Sequence, residues 1–289
     1  MFVKNKMTLK NIIITADDFG LSKGINTGIA KGIENRSINS VSLAPCGNAF
    51  EGAAKIAKDT GVDVGVHLTF LEEKPLLEAG KVPFIVGENG CFFPTLTGFI
   101  SALYSKRECI KNIELEAKAQ IERVLDSGIK PSFLNSHRHV HMLPVLFKQF
   151  ISLADKYSIK AIRLSNEHII KINLLNKKSL SRLPGVILLK YLSAFNRKNI
   201  CNKKLKYNDC TMGILNSGSM NLKIAMGIIR SKNNKITELI CHPGDCDSSS
   251  SSYKHWEYHW QGELAVLLSP LFKECIKSKN IKITSFREL

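Results

Sequence analysis

Four apolar runs of the chain end in side chains that bind metal or move protons. Asn11–Ala16 leads into Asp17-Asp18-Phe19-Gly20, and Val62–Val66 leads into His67. Phe133–Ser136 leads into His137-Arg138-His139-Val140-His141, and Glu238–Cys241 leads into His242-Pro243-Gly244. Adjacent carboxylates repel each other unless a cation or a proton sits between them. Neutral imidazoles are good ligands for zinc and other divalent ions. A carboxylate and two imidazoles meeting at one rim would make a divalent-ion site with open positions, and the chemistry of such a site is metal-assisted hydrolysis. His242, at a strand exit enforced by Pro243 and Gly244, is a candidate general acid.

Each motif also has a plainer reading. The dyad could cap a helix starting near Ser22 or Lys23, and His67 taken singly reads as a satisfied core histidine. Neighbours in an extended strand point to opposite faces, so Asp17 and Asp18 share a site only if the strand ends there, which Gly20 permits. Strict alternation would put His137, His139 and His141 on one side if their backbone stays extended.

The elements that must position these residues alternate in type. Strand-like runs occur at Asn11–Ala16, Ser40–Ala44, Val62–His67, Ser132–Ser136, Ala161–Leu164, Glu238–Cys241 and Ile281–Thr284. Helical spacing occupies Lys23–Asn35, Ala49–Thr60, Cys109–Ser127 and Pro144–Tyr157. This alternation predicts a parallel sheet, and seven or so strands favour a barrel over an open sheet. In such folds the chemistry sits at the C-terminal strand ends.

Two stretches interrupt the rhythm. The segment from about 71 to 97 is rich in Gly and Pro and reads as a loop over the site. The segment from about 171 to 206 is basic and apolar at once, with ten Lys or Arg and no Asp or Glu. It reads either as a core helix with solvated lysines or as a helix touching a membrane surface. Ser248–Ser252 reads as a flexible tract. His255–Trp260 reads as an aromatic platform for a sugar ring or as an ordinary helix start.

The 289 residues, 44% of them hydrophobic, suffice for one large core. The net charge of +16 reads first as a compositional drift toward lysine and second as attraction for an anionic partner; its concentration in 171–206 keeps a membrane-surface role in view, and nucleic acid is not an expected partner. The eight cysteines form no CxxC pair, as expected of free thiols in a reducing compartment. No run is long enough for a membrane span or a signal h-region. The expected location is cytoplasmic, with peripheral contact at the inner membrane face left open.

Taken in order, Thr-Ala-Asp-Asp-Phe-Gly-Leu-Ser, Val-Gly-Val-His-Leu, Ser-His-Arg-His-Val-His-Met-Leu-Pro and Cys-His-Pro-Gly resemble the YdjC-like carbohydrate deacetylase family. The resemblance runs from Asn11 to about Gly244. It implies an α/β fold of the variant (β/α) TIM-like barrel type in a single domain, 1–289, with inserted loops. It implies one divalent ion, magnesium or zinc, held by Asp18, His67 and His137. It implies removal of acetyl from an N-acetylated amino sugar, free or lipid-linked. Asp17 is then the candidate base, though base and ligand roles within the dyad could be exchanged. Asn135 stands where the family often has Asp, which alters the support of a ligand and not the ligand set. Asn135, His139, His141, Arg163, Ser217 and Gly218 are candidates for supporting the ligands or contacting substrate. A second copy of the chain is a further candidate partner. The rival readings are another metal-dependent hydrolase, such as a phosphoesterase or amidohydrolase, and a non-catalytic basic protein that binds lipid or nucleic acid.

Overall fold

The computed structural model describes residues 10–174, 177–200, 205–231, 236–245 and 253–289. Cys201, Cys246 and the Ser248–Ser252 tract lie outside the described residues. Eight strands form one sheet: β1 (Lys10–Phe19), β2 (Ser40–Leu43), β3 (Asp63–Leu68), β4 (Phe133–Ser136), β5 (Ala161–Ile162), β6 (Cys210–Met212), β7 (Ile236–Cys241) and β8 (Ile281–Ile283). Every pairing is parallel, in the order β5-β4-β3-β2-β1-β7-β6. β8 pairs with the first residues of β1, below the part that pairs with β2.

The two edges of the sheet meet. Lys206 bridges Ala161, the Asn208 side chain bonds both the N–H and the C=O of Leu164, and Thr211 N–H donates to Asn166. An amide side chain thus replaces ladder bonds between β5 and β6 and carries the curl of a TIM-like barrel.

Helices α1 (Lys23–Glu34), α2 (Phe50–Thr60), α3 (Leu96–Ser105), α4 (Arg107–Asp126), α5 (Pro144–Lys156), α6 (Lys177–Ile200), α7 (Leu222–Arg230), α8 (Trp260–Leu268) and α9 (Pro270–Ser278) connect the strands. Ser22, not the Asp dyad, caps α1 by accepting from Ile25 N–H. α4 buries Ile113, Ala117, Ile121 and Val124 on one face, as its spacing predicts, together with Cys109, while Ile110 and Leu125 of the same predicted face are half-buried. The 71–97 segment is pinned to that helix: Glu116 accepts from Leu76 and Leu77 N–H, and Asn112 from Phe84 N–H.

Period-two alternation sorts the strand residues. Ile12, Ile14 and Ala16 pack in the main core, whereas Ile13 joins Phe133, Ala161 and Phe286 in a separate small cluster. The Phe133 and Phe286 rings stack there at 4.2 Å, and Gly65 leaves room, since a Cβ on it would lie 2.4 Å from the Phe133 ring. Moving two residues along each strand from this floor reaches Thr15, His67, Asn135 and Arg163, and two more reach Asp17 and His137. The barrel interior is therefore apolar at the bottom and polar toward the C-terminal rim.

Candidate active site

Asp17 and Asp18 share one site because β1 breaks its register between Ala16 and Phe19, and Asp18 takes a left-handed conformation at φ 66°. Gly20, at φ 103°, completes the turn. The two carboxylates have separate partners. Arg163, fully buried, donates to both oxygens of Asp17, Nη1 at 2.6 Å and Nη2 at 2.8 Å. The same guanidinium donates from Nε and Nη2 to Glu238 on β7, whose Oε1 also accepts from Thr15. One cation thus bonds two buried carboxylates in an inner network that uses its donors on both. Burial opposes ionisation of Asp17, but Arg163 and the nearby His67 and His242 outweigh it and hold its carboxyl well below the usual range. At Glu238 burial wins over Arg163 and pushes the carboxyl up.

Asp18 faces the histidines. Its Oδ1 lies 3.3 Å from His67 Nε2 and 3.1 Å from His137 Nδ1. All three residues are buried, and one donor atom from each lies within 4.8 Å of the others; among the described residues no other such group occurs. His67 Nδ1 is 2.7 Å from Asn135 Oδ1, and Asn135 Nδ2 donates to Ser42 Oγ at 2.8 Å. That outward bond orients the Asn oxygen toward His67, so Nδ1 donates to it and Nε2 is the ring nitrogen left facing Asp18. His137 Nε2, the ring nitrogen turned away from Asp18, is buried with no hydrogen-bond partner. The donor set of one carboxylate oxygen and two imidazole nitrogens fits a divalent ion with positions left for water or substrate. Asn135 gives His67 a neutral brace where an Asp would add charge.

The three histidines after β4 do not alternate. Residues His137–Met142 form a 3-10 turn in which Arg138 and His139 are left-handed, so the extended backbone expected from the His-x-His-x-His spacing is absent. Only His137 joins Asp18. His139 lines the cleft, with Nδ1 3.0 Å from Ser165 Oγ. His141 turns into the core between Ser136 Oγ and the Arg163 carbonyl. Burial and the neighbouring Arg163 charge push its pKa down to about 3.

His242 reaches the cleft from the end of β7. Its backbone N–H donates to Glu263 Oε2 at 2.6 Å, and its buried Nδ1 has no hydrogen-bond partner. Tyr258 meets its ring edge-on at 5.0 Å. Ser217 lines the cleft, while Gly218 makes room for Tyr258: a Cβ there would sit 2.1 Å from that ring, at a φ of 68°. Trp256 is not an open sugar platform. It is buried, stacked on His137 at 5.0 Å, and donates to Glu72 Oε2. Glu72, from the 71–97 segment, comes within 3.9 Å of His137 Nε2.

Sequence reasoning missed Glu238, Glu263 and Glu72. Glu238 and Glu263 left a signal, since each is a lone acid in an otherwise apolar stretch; Glu72 left none. Tyr258 lies in the aromatic segment that the sequence singles out. The cleft holds about 310 Å³ and joins Asp17, Asp18, His67, His137 and His242 to an apolar wall of Leu96, Ile100, Val186, Leu188, Leu189 and Leu192. The basic apolar segment therefore supplies part of the cleft wall.

Residues 11–278 match the family described as YdjC-like protein. A carbohydrate deacetylase from Geobacillus stearothermophilus is 30% identical over 282 residues, covering 96% of each chain. A chitooligosaccharide deacetylase from Escherichia fergusonii is 27% identical over 283 residues, 96% of this chain and 98% of its own. A solved Enterococcus faecalis V583 protein, provisionally described as a cellobiose-phosphate cleavage protein, superposes with a TM-score of 0.74 at 21% identity, covering 96% of this chain and 98% of that one.

Proposed function

Because the chain belongs to the YdjC-like protein family, we propose that it is a carbohydrate deacetylase that hydrolyses the acetamide of an N-acetylated amino sugar with a divalent ion held by Asp18, His67 and His137. The observation that carries the reading is the convergence of these three residues from three strands beside Asp17 and His242 in one cleft. Long relatives named carbohydrate or chitooligosaccharide deacetylase support the substrate class.

When bound, a divalent ion such as magnesium or zinc supplies Lewis acidity to a water and to the acetamide oxygen. Asp17 is the base. The Arg163 fork keeps it ionised and fixes its two oxygens, leaving each a free lone pair. His242 gives its proton to the leaving nitrogen, which as an amide anion would be a very poor leaving group. Glu263 positions it through the backbone N–H.

The test is acetate release from a panel of N-acetylated oligosaccharides with and without chelator. Release that disappears on chelation and returns with one added divalent ion is the expected result. Release unaffected by chelator removes the ion from the reading, and no release from any N-acetyl sugar removes the function.

A further inference from the structure

α6 carries apolar residues on two opposite sides. Val186 and Ile200 are buried on its inner face beside Ser193 and Asn196. Leu180, Pro184, Ile187, Leu188, Tyr191 and Phe195 recur every three or four residues, so they form one stripe down the other side. Leu180 is 51% exposed, Leu188 55%, Phe195 54% and Tyr191 71%. A helix at the surface of a water-soluble protein normally turns charge outward. A contiguous exposed apolar patch marks an interaction surface. Leu188 belongs both to the stripe and to the cleft wall, and Leu96 of α3, 41% exposed, also lines that cleft. The patch is continuous with the mouth of the cleft.

Charge identifies the partner. The ten basic residues of 171–206 have no acidic residue among them. Arg182 is engaged with the Leu215 and Ser217 carbonyls, Arg197 with the Asp209 carbonyl, and Lys178 with Glu257. Lys190 borders the stripe and Lys198 stands at its C-terminal end, both exposed. A second copy of this chain, also +16, would bring like charge against them. An anionic leaflet attracts them. No helix among the described residues is long and apolar enough to cross a membrane, so α6 can only lie along the surface.

We propose that the outward stripe of α6 docks the protein on an anionic phospholipid surface, with the mouth of the cleft turned to the headgroups. Ile187, Tyr191 and Phe195 enter the interfacial layer while Lys190 and Lys198 extend to the lipid phosphates. The inference goes beyond the deacetylase reading and does not depend on it.

The experiment is co-sedimentation of the full chain with phosphatidylcholine vesicles with and without phosphatidylglycerol, at low and high salt. The wild type should pellet with the mixed vesicles at low salt and be released at high salt. Lys190→Gln and Lys198→Gln should each weaken partitioning by about fivefold, the worth of one basic residue near an anionic leaflet. Tyr191→Ser with Phe195→Ser should weaken it further while leaving acetate release from soluble sugars unchanged, because neither residue lines the cleft. Failure of the wild type to pellet, equal pelleting with neutral vesicles, or undiminished binding of the Tyr191/Phe195 variant overturns the proposal. So does a solution dimer that dissociates in that variant, which would assign the stripe to a second copy. Loss of acetate release alone, with vesicle binding intact, would overturn the function and not the docking.

Discussion

At the scale of single residues, two carboxylates adjacent in sequence do different work because their partners differ. Asp17 is tied to a buried guanidinium and Asp18 stands between two imidazoles. His67→Ala should lose most bound metal and activity while keeping its far-UV circular dichroism, since the vacated space borders a cleft; unchanged metal content would refute the ligand set. His242→Ala should retain metal and lose ~10²–10⁴-fold in rate on an acetamide. The loss should shrink on an activated acetyl ester, whose leaving group needs no proton, and an equal loss on both substrates would make His242 structural. The motifs were legible here because strand-end polar residues are conspicuous in sequence. The fate of His139 and His141 was not, because two consecutive left-handed residues, Arg138 and His139, leave no compositional mark. The pairing of Arg163 with Asp17 across 146 positions is equally invisible before folding.

At the scale of elements, the turn after β1 is held by a close backbone approach. A Cβ on Gly47 would lie 2.1 Å from the Gly20 carbonyl oxygen, and backbone cannot yield as a side-chain tip does. Gly47→Ala should therefore cost about 1–3 kcal/mol as an overpacked site. That would lower the melting temperature by roughly 2–4 °C per kcal/mol, a shift calorimetry resolves. It should also lower activity by displacing the turn that carries Asp18; a variant with wild-type melting and rate would show the turn to be compliant. Strands of strongly apolar composition were readable to within one to three residues, the largest difference being at the end of β1, which runs on from Ala16 to Phe19. β6 was missed because Cys-Thr-Met is too short to form a run, and α3 because it begins inside a Gly- and Pro-rich stretch. Of the two readings of the aromatic segment, the helix start holds at Trp260, and the platform does not because the Trp256 and Tyr258 rings are taken up by His137 and His242.

At the scale of the whole molecule, the polar interior makes stability depend on pH. His141 is buried and bonded in its neutral form, with its folded pKa depressed to about 3 from an ordinary 6.5. Between those values the unfolded chain binds the extra proton, so this residue's contribution is intact above about pH 6.5 and drains away as pH falls, by about 1.4 kcal/mol per unit. Denaturant unfolding across pH 4–6.5 should show that slope, and His141→Asn should flatten it whatever its effect on absolute stability. An unchanged slope would place the acid sensitivity elsewhere. The barrel class followed from the alternation of elements. Its closure did not, since Asn208, a side chain, joins β5 to β6. The pairing of β1 also bears on the order of events during synthesis. Thr15 and Glu238 lie 223 positions apart, and β1 gains its neighbours β7 and β8 only after most of the chain has emerged. Until then one flank of the strand that carries the dyad is an unpaired edge beside apolar residues, the kind of template that recruits other strands. Asp18, His67 and His137 all emerge before Arg163 and Glu238, so a nascent chain that captures an ion early would tether β1, β3 and β4 while that edge is still open.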